Sequence, residues 1–256
     1  MNQTVLIVGL GEVGKPLFEI VKTRHEVFGV DIDLAAPRNR CDVMHICFPF
    51  RDQRFMDQVL EYIVRYRPAL TVVNSTVAPG TTRRIASESG VAVVNSPVRG
   101  KHVRMREEVL HYTKFIGALD PESGARAAQH FESVGMKTKV LGSPEATEIA
   151  KLTETTYFGL MIAWAQEVER YCREVGAFYD EVVSFYGEIN FFPPVKYFPG
   201  VIGGHCVMPN IDILLQRFPS GLLRAIVQSN MLKEKNLGQE GWAALDSASQ
   251  LGAAGS

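Results

Sequence analysis

The chain opens with a short apolar run, Val5–Val8, that ends at Gly9 and is followed by a helical pattern through Leu17, Ile20 and Val21. A second run, Val27–Val30, stops at Asp31. Further runs cover Val43–Phe48, Leu70–Asn74, Val91–Asn95 and Lys114–Gly117. Helix-period segments, Phe55–Tyr66 and Thr82–Ser89, lie between several of them. Short continuous apolar runs fit strands buried on both faces, and their alternation with helices predicts a parallel sheet covered on both sides.

The texture changes near Gly142. Ser143-Pro144-Glu145 reads as an N-cap, a first-turn proline and a first-turn acid. A long helix is predicted from there, with Ile149, Leu152, Tyr157, Leu160 and Trp164 among its apolar positions and Gly176 as its stop. Beyond it the chain reads as helical or irregular, broken at Phe191-Phe192-Pro193-Pro194 and Tyr197-Phe198-Pro199-Gly200. The expected organisation is an α/β domain over 1–142, a helical domain over 143–235 and a flexible tail over 236–256.

Composition narrows the functional classes. With 27 basic against 28 acidic residues, no global field favours nucleic acid or an anionic membrane. Charged residues interrupt every apolar stretch before it is long enough to span a bilayer. The N-terminus lacks the positive start and cleavage site of a signal peptide. Cys41, Cys47, Cys172 and Cys206 have no paired spacing, so neither a metal site nor a disulfide framework is expected, and a cytoplasmic location with reduced thiols is.

Gly9-Leu10-Gly11-Glu12-Val13-Gly14 fits G-x-G-x-x-G in the context that pattern requires, after a strand and at the start of a helix, with Asp31 ending the next strand. Gly9 permits a tight turn, Gly11 lets backbone approach a pyrophosphate, and Gly14 lets helix pack on strand. The helix N-terminus offers free N–H groups to phosphate. Asp31 would accept hydrogen bonds from ribose hydroxyls and repel a 2′-phosphate, favouring NAD over NADP. The fold class expected is a Rossmann-type doubly wound parallel sheet followed by an all-helical domain with a long central helix. Cys206, in Gly203-Gly204-His205-Cys206, is a candidate nucleophile beside glycines that allow close approach; a buried structural thiol is the competing reading.

Four separated segments carry a resemblance: the GLGEVG loop with Asp31, Asn74-Ser75-Thr76-Val77-Ala78-Pro79-Gly80-Thr81-Thr82, Glu145-Ala146-Thr147-Glu148-Ile149-Ala150-Lys151-Leu152, and Pro199-Gly200-Val201-Ile202-Gly203-Gly204-His205-Cys206. In this order and spacing the chain resembles the UDP-glucose/GDP-mannose dehydrogenases. Such enzymes oxidise a primary alcohol of a nucleotide-bound sugar to a carboxylate in two hydride transfers to NAD, through a cysteine thiohemiacetal and thioester. The resemblance implies Cys206 as nucleophile, Lys151 as the cation facing developing oxyanion charge, and Thr76 positioning water or cofactor. It implies a cofactor site of Gly9, Gly11, Glu12, Val13, Gly14, Asp31, Phe48, Pro49 and Thr76, and a homodimer through the long helix.

The chain departs from that pattern at three positions. Asn210 stands where an aspartate is usual, Thr155 where an asparagine is, and Val98 where a glutamate is. The acids belong to the water-handling side of the chemistry, so hydrolysis of a thioester is placed in more doubt than the first hydride transfer. About fifty residues follow Cys206, too few for the family's C-terminal nucleotide-sugar-binding domain. The basic run Arg99–Arg106 offers Arg99, Lys101 and His102 as holders of a phosphate or carboxylate; a solvated face is the alternative. With Thr155, Gly203 and Gly204 they form the expected substrate contacts, and Asn210 joins the catalytic set. The substrate is expected to be a small hydroxylated molecule, phosphorylated or anionic. The alternative function is a non-catalytic NAD-binding module, or a subunit completed by a partner chain.

Overall fold

The computed structural model describes residues 2–31, 40–51, 54–99, 104–189, 199–203 and 206–252, with side chains to Gly238 in the final helix. Seven strands form one sheet: β1 (Thr4–Val8), β2 (Glu26–Val30), β3 (Val43–Ile46), β4 (Leu70–Val73), β5 (Val93–Asn95), β6 (Lys114–Ala118) and β7 (Thr138–Leu141). Their order is β2-β1-β3-β4-β5-β6-β7. All neighbours are parallel except β5 and β6, which run antiparallel. The sheet is thus Rossmann-like and mostly parallel, with one reversal that the strand pattern did not reveal.

The expected strands are present. Three are shorter than their apolar runs: Cys47 and Phe48 after β3 and Asn74 after β4 continue past the last ladder pair into the loops at the sheet's C-terminal edge, and β5 begins two residues late, at Val93. Two elements escaped the pattern. β7 is an edge strand of intermediate and exposed residues with no buried run. Helix α5 (Pro121–Ser133) is capped by Asp120, whose side chain accepts from Ser123 N.

Alternation along the strands splits the core in two. Val5, Ile7, Val43, Leu70, Val72 and Ile116 pack against α1 (Gly14–Val21) and α5. Leu6, Val8, Met44, Ile46 and Val73 face the other way, against α2 (Arg54–Tyr66) and α3 (Thr81–Ser89). Each face therefore buries one parity of β1, β3 and β4, which fixes their register, since a slip of one residue would exchange the two cores. Part of the basic run forms α4 (Met105–His111).

The remaining helices are α6 (Pro144–Val175), α7 (Tyr179–Gly187), α8 (Val207–Arg217) and α9 (Gly221–Gly252). Helix α6 starts where its capping signals lie, with Ser143 Oγ accepting from Ala146 N at 3.2 Å, and ends before Gly176, whose φ is 73°. The chain divides into compact units of residues 1–152 and 153–256. The first turns of α6 bond to the sheet: Thr147 Oγ1 donates to Asn95 Oδ1 at 2.7 Å. The backbone of α9 runs to Gly252; it contains no proline and many good helix formers.

A string of polar side chains runs through the α5-facing core. Lys114 Nζ donates to Asn74 Oδ1 (3.2 Å), so Asn74 Nδ2 is the donor to His45 Nδ1 (3.1 Å) and to the Val72 carbonyl. His45 then carries its proton on Nε2 and donates to His130 Nε2 (2.9 Å), and His130 Nδ1–H donates to Gln3 Oε1 (2.8 Å). His25 accepts from Gln3 N and donates to Ser133 Oγ (2.7 Å). Every step is satisfied with all three imidazoles neutral. Burial holds each below its ordinary value, His130 at about 4.

This string makes stability depend on pH. The histidines titrate near 6.5 when unfolded, so below that pH the unfolded chain binds more protons and stability falls on acidification. Burial lowers Lys114 from 10.5 to about 7, so its unfolded form binds more protons above pH 7 and stability climbs there. Cys41 and Cys47, pushed by burial from 9.0 to about 12, reverse the trend above pH 9, where the unfolded thiols lose protons first. The urea midpoint of the sheet unit is expected to rise between pH 7 and 9, by about 1.4 kcal/mol of stability per unit, and then turn over. Lys114→Met should abolish the rise, and a flat wild-type profile over that interval would refute the assignment.

Candidate functional site

The dinucleotide end of the first unit is built around glycines that nothing else can replace. Gly9 has φ 88°, and a Cβ there would lie 2.9 Å from Phe48 N. A Cβ on Gly14 would lie 1.7 Å from the Gly9 carbonyl oxygen, so α1 can reach this depth against β1 only without a side chain. Gly11 is exposed, with no atom within 4 Å of a Cβ position, leaving its backbone open to an approaching phosphate. Asp31 Oδ2 accepts from Leu10 N at 2.9 Å, which ties the end of β2 to the loop. Glu12 is exposed and Val13 half-buried at the start of α1.

Beside this loop opens a cleft of about 390 Å³. Val8, Gly9, Val30 and Asp31 form one wall, and Phe48, Pro49 and Tyr62 another. The Phe48 ring packs on Phe55 and Tyr62, with centroids 5.0 and 6.1 Å away. Arg51 and Arg54 also line it, and no motif marked either residue. An apolar-walled cleft with a carboxylate at its rim, next to bare backbone at a helix N-terminus, fits the nucleoside and pyrophosphate of a dinucleotide.

The Asn74–Thr82 and Glu145–Leu152 segments meet through Glu148, which is 1% exposed. Its two carboxylate oxygens accept from Gly80 N (2.6 Å) and Thr82 N (2.9 Å), the free amides at the start of α3. Burial pushes the Glu148 carboxyl up, while those N–H groups pull it back. Arg83 pairs with Glu145 beside it. Lys151 follows Glu148 by three residues on α6 and is half-buried. Thr76 is half-buried in the loop after β4, where Ser75 Oγ donates to the Phe48 carbonyl at 2.6 Å. Sequence reading took Glu148 for part of a motif without a role; only the long-range bonds identify it.

In the second unit Cys206 is half-buried and is the residue before α8. No acidic residue occupies the first turn of that helix. Asn210 Nδ2 donates to Thr155 Oγ1 at 2.7 Å, so the two departures from the family pattern are partners of each other. One turn along α6, a Cβ on Gly159 would come within 2.5 Å of Val207 Cγ1, so this glycine lets the start of α8 rest on α6. The approach to Cys206 is pinned as well: Gln166 Nε2 donates to the Gly200 carbonyl (2.6 Å), and Asn230 Oδ1 accepts from Ile202 N (2.7 Å). Gly203 is exposed; Gly204 and His205 lie outside the described residues.

Val98 is buried in the α1/α5 core, where a glutamate would lack water. The Arg99 guanidinium lies over Tyr112 and Phe115, 5.5 and 5.7 Å from the ring centres. Lys101 and His102 lie outside the described residues. Cys41, Cys47 and Cys172 are free thiols, as is Cys206, and no cluster of metal-ligand type occurs among the described residues. Nor is any described helix long and apolar enough to cross a membrane.

Glu148→Ala should cost about 2 kcal/mol, because it strands two buried N–H donors at a helix start. Thermal denaturation measures this, and Glu148→Gln should recover part of it. Equal loss from both variants would show that packing, rather than the carboxylate, matters.

Residues 145–232 match the UDP-glucose/GDP-mannose dehydrogenase family, central domain. The UDP-N-acetyl-D-mannosamine dehydrogenase of Methanocaldococcus jannaschii is 23% identical over 81% of this chain and 60% of its own length. The NDP-N-acetyl-D-galactosaminuronic acid dehydrogenase of Ralstonia nicotianae is 24% identical over 80% of the chain and 62% of its own. The chain thus spans about 60% of the length of these relatives. Among solved structures, the Pyrococcus horikoshii UDP-D-ManNAc dehydrogenase superposes with a TM-score of 0.81 at 20% identity, covering 96% of this chain and 72% of that one. The Mycobacterium tuberculosis 3-hydroxyisobutyrate dehydrogenase gives 0.70 at 16% identity, covering 93% and 94%. Over residues 145–232 the chain thus matches the central domain of the UDP-glucose/GDP-mannose dehydrogenases, and it is similar to dehydrogenases of that kind over about four fifths of its length.

Proposed function

We propose that this chain binds NAD and oxidises a hydroxylated carbon of a sugar nucleotide, or of a related hydroxylated substrate, through Cys206. The observation that carries the reading is the dinucleotide end: the Gly9–Gly14 loop, Asp31 bonded to Leu10 N, and the cleft beside them. NAD supplies the hydride acceptor. Gly11 and the first amides of α1 hold its pyrophosphate, with Glu12 and Val13 at the helix start. Asp31 takes the ribose, and Phe48 and Pro49 form the wall against which it lies. The Asp31 charge sets the preference against a 2′-phosphate.

Removal of hydride from a carbinol carbon also releases the hydroxyl proton and leaves an aldehyde. The Cys206 sulfur would add to that carbon as the C=O π bond opens, with the thiol proton passing to the oxygen to give a thiohemiacetal; its position before α8 places negative charge near the helix's free N–H groups. Lys151 is the cation that offsets oxygen charge in these steps, and Thr76 orients water or cofactor. Thr155, Asn210, Gly203 and Gly204 supply substrate contacts, with Arg99, Lys101 and His102 as anion holders. With Val98 in the core and an amide at Asn210, the groups that activate water for thioester hydrolysis are the ones replaced. The reaction favoured is therefore the first oxidation.

A homodimer through α6 is part of this proposal. Tyr157, Trp164 and Tyr171 recur every seven residues, so they share one face of the helix, and all are about half exposed. We place the protein in the cytoplasm, where its four free thiols stay reduced.

Purified protein should bind NAD, and Asp31→Ala should weaken that binding about tenfold. Wild type should form NADH from at least one compound of a UDP-sugar, GDP-sugar and hydroxy-acid panel, and Cys206→Ser should keep NAD affinity but release free aldehyde where wild type captures it. No NADH from any compound, with NAD bound, would leave a non-catalytic binding module or a subunit needing a partner chain. Sedimentation should give a dimer mass, and Trp164→Glu a monomer.

A further inference from the structure

Lys114 is buried in the core of the first unit, yet neither the motifs nor the proposed chemistry uses it. It begins β6, which runs antiparallel to β5, so its side chain starts at the sheet's C-terminal edge. Nζ reaches the Ser96 carbonyl (2.5 Å) and the Pro97 carbonyl (3.4 Å), just past the end of β5, and Asn74 Oδ1 (3.2 Å), just past the end of β4. Three oxygens for three N–H groups is the pattern of an ammonium, because an amine would turn its lone pair onto one of them. The Phe131 ring, 5.2 Å from Nζ, adds a face that attracts a cation.

This charge lies under the dinucleotide crevice. Cys47, just past the end of β3, touches the glycine loop: a Cβ on Gly14 would be 3.2 Å from Cys47 Cβ. Cys47 in turn feels both the Asn74 side chain and the Lys114 charge. In the sheet, β2 lies on one side of β1 and β3, β4 and β5 on the other. With the pyrophosphate at the loop and the adenosine ribose at Asp31 on the β2 side, the second nucleoside extends over the ends of β3 and β4. That end of the cofactor carries a positive charge when oxidised and none when reduced.

We propose that Lys114 is a buried positive charge beneath the nicotinamide end of the crevice, biasing the site toward the reduced, uncharged form of the dinucleotide. The inference rests on the NAD reading above. The groups facing Lys114 are the Cys47 thiol on β3, Lys151 on α6 and, beyond Asn74, His45 on β3 and His130 on α5. None carries negative charge near neutral pH, since burial pushes Cys47 up to about 12. Burial brings Lys114 itself to about 7, so the bias fades as pH rises through neutrality.

The test is the ratio of dissociation constants for NAD⁺ and NADH, measured by calorimetry at pH 6 and pH 9, with ADP-ribose as the probe that carries the pyrophosphate but no nicotinamide. For wild type the ratio should be about fivefold larger at pH 6 than at pH 9, with ADP-ribose binding changing little. Lys114→Met should hold the low ratio at both values while still binding both dinucleotides. A wild-type ratio indifferent to pH overturns the proposal, whether or not the variant folds. So does a parallel change for NAD⁺, NADH and ADP-ribose, which would put the charge under the pyrophosphate. Failure of wild type to bind either dinucleotide would instead overturn the NAD reading, and this inference with it.

Discussion

Everything at the C-terminal edge of the sheet depends on one buried carboxylate. Glu148 replaces solvent for the first amides of α3, and in doing so anchors the opening turns of α6 to the sheet unit. A buried carboxylate is costly unless its lone pairs are filled. Here two charge-assisted bonds and the positive end of a helix offset the burial. The same bonds fix Gly80-Thr81-Thr82 against the first turns of α6.

The polar string from Lys114 to Gln3 is the opposite kind of device. It lies in a core that would pack more simply with apolar side chains, and each imidazole nitrogen in it is paired. Such a network is tolerable only when complete. Its direction is set from one end: the ammonium claims the Asn74 oxygen, and each later proton position follows. The three histidines are thereby committed to neutrality, which leaves Lys114 as the group in the string that changes charge near neutral pH.

Much of the fold was legible because its cause is local. Unbroken apolar runs mark strands buried on both faces, and Gly9, Gly11 and Gly14 mark a loop whose backbone cannot accept side chains. What escaped was either local but weakly patterned, as at the half-exposed strand β7, or not local at all. Glu148 lies 66 residues from Thr82, and His45 lies 85 from His130. His45 lies inside one apolar run and Lys114 begins another, and nothing near them in sequence says that they answer each other. The antiparallel turn to β6 was equally hidden, since strand periodicity is the same in either direction.

The departures from the family pattern acquire meaning only as a pair. Thr155 and Asn210, 55 residues apart, are hydrogen-bonded, with the amide donating and the hydroxyl accepting. An aspartate at 210 would reverse that polarity and place a fixed negative charge in the first turns of α8, beside Cys206. With an amide there, and no acid in the first turn, the helix start keeps its positive field for whatever charge develops on sulfur or on an oxygen bonded to the captured carbon. The same exchange removes a base that would hold a proton from attacking water. Under the proposed chemistry, capture of an aldehyde would gain from this arrangement and hydrolysis of a thioester would lose. The pair is thus coherent with a site specialised for the first two-electron step, and Val98, sealed in the core where a second acid is usual, points the same way.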